Sequence, residues 1–311
     1  MLFILVEDTV DTRKTDDANK TIVSANETTI VTNKTSIFPQ THYYREPFKH
    51  IQSNSTTRQH NITIVTGASK NHFCALKSLL YRINKEIDGL DVRIVVYDLG
   101  ITKSQKAELN RLLNLSYISE LRIFNFSAYP SFWNIRKNRG EYAWKVGITA
   151  EVARDYLGTK LVWLDAGTFV KRKFFLQLPS LMKKFNGFVS PNSPGRMENW
   201  THSGVYKYFG DDHSKYDQLK NCNAASVAFD TKERKELIDN WYICALNKDC
   251  IAPPGSSRKN HRQDQALLTY LAARKGLYCK KSRKVFGITT HMDRKCKKYN
   301  AKYEKQHGLI T

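Results

Sequence analysis

Polar residues dominate the chain up to about residue 60. Between residues 7 and 60 Thr, Asn, Asp and Ser recur with neither a two-residue nor a 3.6-residue rhythm. Residues 1–60 are therefore predicted to be a mostly disordered stem, because such a stretch buries too little apolar surface to offset the entropy of ordering. Order is expected from Ile62. The run Ile62–Val65 reads as a strand that ends in the turn Thr66-Gly67-Ala68-Ser69. Leu76, Leu79, Leu80 and Ile83 then fall on one face of a helix from Phe73 to Ile87. The pattern repeats: a strand over Val92–Tyr97, a polar helix from Lys103 to Leu113, a strand over Leu121–Phe126, a helix from Tyr142 to Leu157 and a strand over Leu161–Leu164. Strands alternating with helices predict an α/β fold, a mostly parallel sheet with helices on both faces.

Beyond Lys171 the rhythm is less regular. Phe188–Ser190 and Ala225–Phe229 read as strands, and Lys232–Leu246 and Gln263–Arg274 as helices. The expected organisation is a stem over 1–60, one catalytic domain over 61–290 and a basic tail over 291–311. In parallel sheets ligands sit beyond the C-terminal strand ends, the edge to which Thr66, Asp98 and Asp165 are assigned.

Charge narrows the choice of partner. Fifty Lys and Arg against 29 Asp and Glu leave +21, while residues 1–60 are neutral and residues 271–311 alone carry a net +10. An anionic partner follows: nucleic acid, an acidic glycan, a phosphate-bearing donor or a membrane surface. Eight N-x-[ST] sequons, at Asn19, Asn26, Asn33, Asn54, Asn61, Asn114, Asn125 and Asn199, favour the secretory lumen. Six cysteines without zinc spacing agree with it. Cys244 and Cys250 are expected to close a short loop, and Cys279 with Cys296 to staple the basic tail. Both features argue against a nuclear or cytosolic nucleic-acid binder. No run approaches the roughly 20 apolar residues of a membrane span. A stem without an anchor suggests an anchor upstream of Met1, as in a type II membrane protein of the Golgi or endoplasmic reticulum.

Four constellations carry candidate chemistry. Thr66-Gly67-Ala68-Ser69 is similar to the opening of a short-chain dehydrogenase, and Tyr216 and Lys220 form a Tyr-x-x-x-Lys, but Asn71 and Phe73 stand where further glycines would admit a pyrophosphate. A dinucleotide site is thereby disfavoured. Leu161-Val162-Trp163-Leu164-Asp165-Ala166-Gly167 delivers one carboxylate at a strand tip, suited to a divalent cation bridging a diphosphate and equally to a helix cap. Sugar transferases usually place two aspartates one residue apart; here the second position is Gly167. Lys145, in Glu141-Tyr142-Ala143-Trp144-Lys145, adds its charge to a helix N-terminus, a good anion site. His261-Arg262-Gln263-Asp264-Gln265 offers Asp264 as an acid on the acceptor side and Arg262 as a phosphate contact, or simply a solvated helix start.

Together with Asn71-His72-Phe73 and Val96-Tyr97-Asp98-Leu99-Gly100, these segments resemble an animal family of unknown-function domains similar to GT-A glycosyltransferases. The resemblance covers about residues 60–290. It implies a nucleotide-sugar fold, with Thr66, Ala68 and Asp98 near the nucleoside and Asp165 at the diphosphate. Lys145 and Arg262 would hold phosphates, Asp165 and Asp264 would be catalytic, and His291 is a candidate ligand beside Asp165 for manganese or magnesium. The implied activity is transfer of a sugar from a UDP-linked donor to a glycan or glycoprotein, including acidic ones. A non-catalytic lectin-like protein of the same fold is the alternative.

Overall fold

The computed structural model describes residues 60–279 and 287–309. The expected stem and the sequons at Asn19, Asn26, Asn33 and Asn54 lie outside the described residues. Asn61, Asn114, Asn125 and Asn199 are all exposed, as glycan acceptors must be.

Strands β1 (Ile62–Ala68), β2 (Val92–Asp98), β3 (Glu120–Ile123) and β4 (Lys160–Leu164) run parallel, with β1 between β2 and β4. Every residue of β1 is buried, which accounts for its unbroken apolar run. The strand Ser226–Asp230 then pairs antiparallel with β4, and Phe188–Val189 pairs antiparallel with it in turn, completing a six-stranded sheet. The fold class is the one expected: α/β, mostly parallel, helices on both faces.

Two cores follow from the two-residue alternation of the strands. One face carries Ile64, Val96, Val162 and Leu164 against helices α1 (Phe73–Glu86) and α2 (Lys103–Asn114). The other carries Val65, Tyr97, Leu161 and Trp163 against α3 (Ala143–Asp155), Lys235–Leu246 and Gln263–Arg274. A helix absent from the sequence reading, α4 (Arg172–Lys184), packs Phe174, Phe175, Leu178 and Met182 into the first core. Pro179 inside it obscures the pattern, because proline removes one backbone donor and ordinarily ends a helix.

All six cysteines are paired, as Cys74–Cys296, Cys222–Cys279 and Cys244–Cys250. The short Cys244–Cys250 loop is as expected; the staple between Cys279 and Cys296 is not. Cys279 instead reaches the strand Lys220–Cys222, and Cys296 reaches the first turn of α1. The reason is that the stretch read as a basic tail forms the helix Cys296–Gln306 and lies on α1. Asn300 accepts from Ser78 Oγ at 2.6 Å, Tyr81 stacks on Tyr303 at 4.4 Å, and Lys77 pairs with Glu304 at 2.7 Å. Among the described residues no helix is long and apolar enough to cross a membrane.

Candidate functional site

Beyond the C-terminal ends of β1 and β4 opens a cleft of about 540 Å³. A second lobe of about 320 Å³ adjoins it, and both are lined by Tyr142, Lys145, Asp165, Ala225, Arg258 and His291. At this seam lies a buried ion cluster. Lys145 Nζ is 3.0 Å from Asp165 Oδ1 and 3.0 Å from Asp264 Oδ2. The lysine side chain is 4% exposed and that of Asp264 7%, whereas Asp165 keeps 39%. Burial by itself would lower the ammonium's pKa, but the two carboxylates outweigh it and hold it above the ordinary lysine value. Burial pushes the Asp264 carboxyl above the usual aspartate range against the pull of Lys145, and the nearby charge of Asp165 adds to the rise. Trp163 Nε1 donates to the same Asp165 Oδ1 at 2.7 Å. Asp165 caps no helix, since α4 begins only at Arg172 with Lys171 before it.

The lysine is aimed by an unusual backbone. Five consecutive residues, Asn138, Arg139, Gly140, Glu141 and Tyr142, have φ between 46° and 63°, a left-handed turn leading directly into α3. Such a turn costs L-residues roughly 1–2 kcal/mol each and persists only where its surroundings fix it. Trp144 Nε1 donates to Arg139 O at 3.0 Å, Gln263 Nε2 donates to the buried Glu141 carboxylate at 3.2 Å, and Gly140 N donates to Lys137 O at 2.7 Å. Gly140 has no substitute: a Cβ there would lie 2.1 Å from Trp133 O. The turn sets Lys145 in the first turn of α3, as the sequence implied, and brings Arg139 and Tyr142 to the cleft.

Of the residues assigned from sequence, Ala68, Lys145, Asp165 and His291 line the first lobe, and Lys145, Asp165, Arg262, Asp264 and His291 the second. Thr66 and Asp98 line neither lobe. Thr66 is fully buried in β1, its Oγ1 without a hydrogen-bond partner among the described residues. Asp98 folds back on its own turn, Oδ1 accepting from Gly100 N at 2.8 Å and Ile101 N at 2.9 Å. Its carboxylate stands at the end of β2. Arg262 was expected on phosphates but lies only in the second lobe, its guanidinium 3.9 Å over the Trp200 ring. His261, from the same motif, is a fully buried pin: Nδ1 accepts from His202 N at 3.2 Å and Nε2 donates to Ile251 O at 2.9 Å. Burial is what pushes its pKa down to about 4.

Five further side chains at the cleft were not anticipated: Arg139, Tyr142, Arg258, Trp200 and Asp293. Arg139 and Arg258 both donate to the Tyr142 hydroxyl, at 3.0 and 2.9 Å. Asp293 lies over Gly167, where a Cβ would be 2.4 Å from its Oδ2. The glycine in the second position of the one-aspartate motif therefore makes room for a carboxylate arriving from the C-terminal segment. Met292 N, donating to Gly167 O at 3.0 Å, fixes that segment in place. Only the Glu-Tyr-Ala-Trp-Lys motif hinted at Tyr142; the other four reach the cleft through tertiary structure.

With this geometry in place, the likenesses to other proteins can be set beside it. Residues 20–150 match a family described as a protein of unknown function, DUF1647. A search among curated proteins found no match. Solved structures with a similar fold include the galactosyltransferase LgtC in complex with donor and acceptor sugar analogues, at 14% identity over 80% of this chain and 96% of that one, with a TM-score of 0.47. The apo form of the bifunctional glycosyltransferase WbbM is similar at 16% identity and a TM-score of 0.46, over 73% of this chain. This chain spans only 40% of WbbM's length. The mannosyltransferase PcManGT from Pyrobaculum calidifontis, in complex with GDP-Man and manganese, is similar at 15% identity over 74% of this chain and 56% of that one, with a TM-score of 0.43. The DUF1647 match agrees with the likeness to a domain of unknown function drawn from the motifs, and the sheet topology with the mostly parallel α/β fold which that likeness implied.

Proposed function

We propose that the chain is a glycosyltransferase of the secretory lumen, moving a sugar from a nucleotide-diphosphate donor, UDP-linked, to a glycan or glycoprotein. The observation that carries this reading is the Lys145 ammonium buried between Asp165 and Asp264 at the seam of two lobes. Transfer brings two ligands to one carbon, and a two-lobed cleft sharing a polar seam offers a place to each. The first lobe, at the strand ends, takes the donor; the second takes the acceptor.

The roles follow from position and charge. Asp264, with its raised pKa, accepts the proton of the acceptor hydroxyl as the new bond to the sugar carbon forms. The bond from that carbon to the diphosphate breaks, and the diphosphate leaves with the electron pair. Lys145, Arg139 and Arg258 meet the developing charge. Asp165 holds Lys145 through Oδ1, and among the described residues its Oδ2 has no hydrogen-bond partner. Among those residues no three His, Cys, Asp or Glu side chains form a ready-made metal group. Hard cations at nucleotide sites take one or two carboxylates and complete their shell from substrate phosphates. Asp165 and Asp293, with His291 beside them, fit that partial donor set for manganese or magnesium. Such a cation would supply further neutralisation of the diphosphate.

Compartment and domain limits belong to the same proposal. Three disulfides and four exposed described sequons speak for an oxidising lumen, Golgi or endoplasmic reticulum, and against a nucleic-acid partner. The catalytic domain would run from about residue 60 through the helix Cys296–Gln306, with residues 1–60 as its stem. A thermal-shift series of nucleotide sugars with and without manganese tests the reading. A UDP-linked donor at about 100 times its Kd should add about 2.7 kcal/mol of stability. No shift with any nucleotide sugar, or transfer activity that survives Asp165→Ala, contradicts it; a glycan-binding protein without donor affinity would then be the better account.

A further inference from the structure

The second lobe holds a charge imbalance that the donor reading leaves unexplained. Lys145 is neutralised there by Asp165 and Asp264. Arg258 and Arg262 line the same lobe, and among the described residues neither has a carboxylate partner. Burial first, and then the like charge of Arg258, depress the pKa of Arg262, and both guanidiniums border the one lobe. Uncompensated cations in a concave site favour an anion.

The platform beneath Arg262 is rigid. Trp200 Nε1 donates to Pro194 O at 3.1 Å, and Trp200 O accepts from Arg262 N at 3.1 Å. Gly195, at φ +89°, is required for this contact, since a Cβ would fall 2.2 Å from Trp200 Nε1. A guanidinium lying 3.9 Å over an indole ring keeps its N–H edge for a planar, two-toothed acceptor such as a carboxylate or sulfate. Arg258 reaches both lobes and is within range of a donor diphosphate, but Arg262 lines only the second.

From this we infer that the second lobe is a subsite for an acidic sugar, in which Arg262, stacked on Trp200 and assisted by Arg258, binds the carboxylate or sulfate of the acceptor. The inference rests on the reading of the first lobe as the donor site. It moves recognition of acidic glycan from the basic C-terminal segment to the cleft. The lysines of the helix Cys296–Gln306 then add only diffuse attraction.

The test is calorimetric titration of the secreted, disulfide-bonded full chain at about 0.15 M salt, where diffuse attraction is screened. Three hexasaccharides are used, with and without saturating UDP and manganese: hyaluronan (carboxylates only), chondroitin 4-sulfate (carboxylates and sulfates) and neutral chitohexaose. An acidic hexasaccharide should bind at least about tenfold more tightly than chitohexaose, the worth of one charge-assisted hydrogen-bond pair. Hyaluronan binding as well as chondroitin 4-sulfate assigns the site to carboxylate, and preference for the latter assigns it to sulfate. Arg262→Gln and Trp200→Phe should each lose about tenfold, Arg262→Lys less, and Lys302→Gln on the C-terminal helix nothing. UDP affinity, measured in the same proteins, should be unchanged by Arg262→Gln. Equal binding of neutral and acidic hexasaccharides, no binding of either acidic one, or a loss in Lys302→Gln matching that in Arg262→Gln overturns the inference. Acidic hexasaccharide binding in a protein that does not bind UDP would leave this subsite standing and remove the donor reading instead.

Discussion

The two lobes of the cleft are built in different ways. The first is walled by the tips of β1 and β4, the left-handed turn before α3 and the C-terminal segment around His291 and Asp293. Most of its residues fall in short contiguous motifs. The second collects Ser193 and Pro194 from the strand Asn192–Arg196, Trp200 from the short helix Met197–Trp200, Asn223 and Ala224 from a turn, Arg258 and Arg262 from the loop before the helix Gln263–Arg274, and Asp264 from the first turn of that helix. A regular sheet edge presents neighbours in sequence as neighbours in space, whereas a lobe assembled from several distant segments does not. Lys145 joins the two, and its substitution should disturb both.

That expectation gives the largest effect. Lys145→Met leaves Asp165 and Asp264 without their shared cation, one of them buried, and should cost about 3–5 kcal/mol, read as a shift in the chemical-denaturation midpoint. A variant as stable as the parent would mean that the seam is not an ion cluster.

His261, fully buried one residue before Arg262, comes next. Its folded pKa, pushed down to about 4, lies below its unfolded value near 6.5, so the unfolded chain takes up a proton first as pH falls. The stability this histidine contributes is whole above about pH 6.5 and declines towards pH 4, by about 3 kcal/mol at 1.36 kcal/mol per pH unit. Denaturation midpoints from pH 7 to 4, compared between parent and His261→Gln, check this. The decline should be smaller in the variant by that amount.

A smaller loss separates the lobes from the other side. Gly140→Ala should cost about 1–3 kcal/mol through its contact with Trp133 O and should weaken UDP binding, since it displaces Arg139. The smallest effect is expected of Asp98→Asn. Asparagine makes the same turn as aspartate, and residue 98 is outside the cleft, so stability and UDP affinity should both stay within about 1 kcal/mol of the parent. A large loss of UDP affinity would return Asp98 to the donor site.

What the sequence discloses follows the same division. The alternation of apolar strands and amphipathic helices made the parallel sheet legible from Ile62 to Leu164, with each element found close to its expected place. Lys145, Asp165 and Asp264 were legible because each ends or begins a regular element. For Thr66 and Asp98 the strand ends were legible and the surroundings were not: one is enclosed in β1, and the other accepts from its own turn. The antiparallel pairing of the strands after Lys171, the Cys74–Cys296 bridge and the position of Asp293 over Gly167 depend on long-range packing that no local period encodes. The strained turn at 138–142 was invisible for another reason: only Gly140 marks it, and four non-glycine residues share its conformation.

The central claim is that the first lobe, centred on Asp165 and Lys145, binds a nucleotide diphosphate independently of the second. It is tested most directly by calorimetric titration of UDP, with and without manganese, into the parent chain, Asp165→Asn and Arg262→Gln. Asp165→Asn keeps the side chain's shape and removes its charge, so manganese-dependent affinity should be lost, by about tenfold or more. Arg262→Gln, confined to the second lobe, should bind UDP as the parent does. Equal affinity in all three proteins, or a loss in Arg262→Gln as great as in Asp165→Asn, would contradict the division of the cleft into a donor lobe and an acceptor lobe.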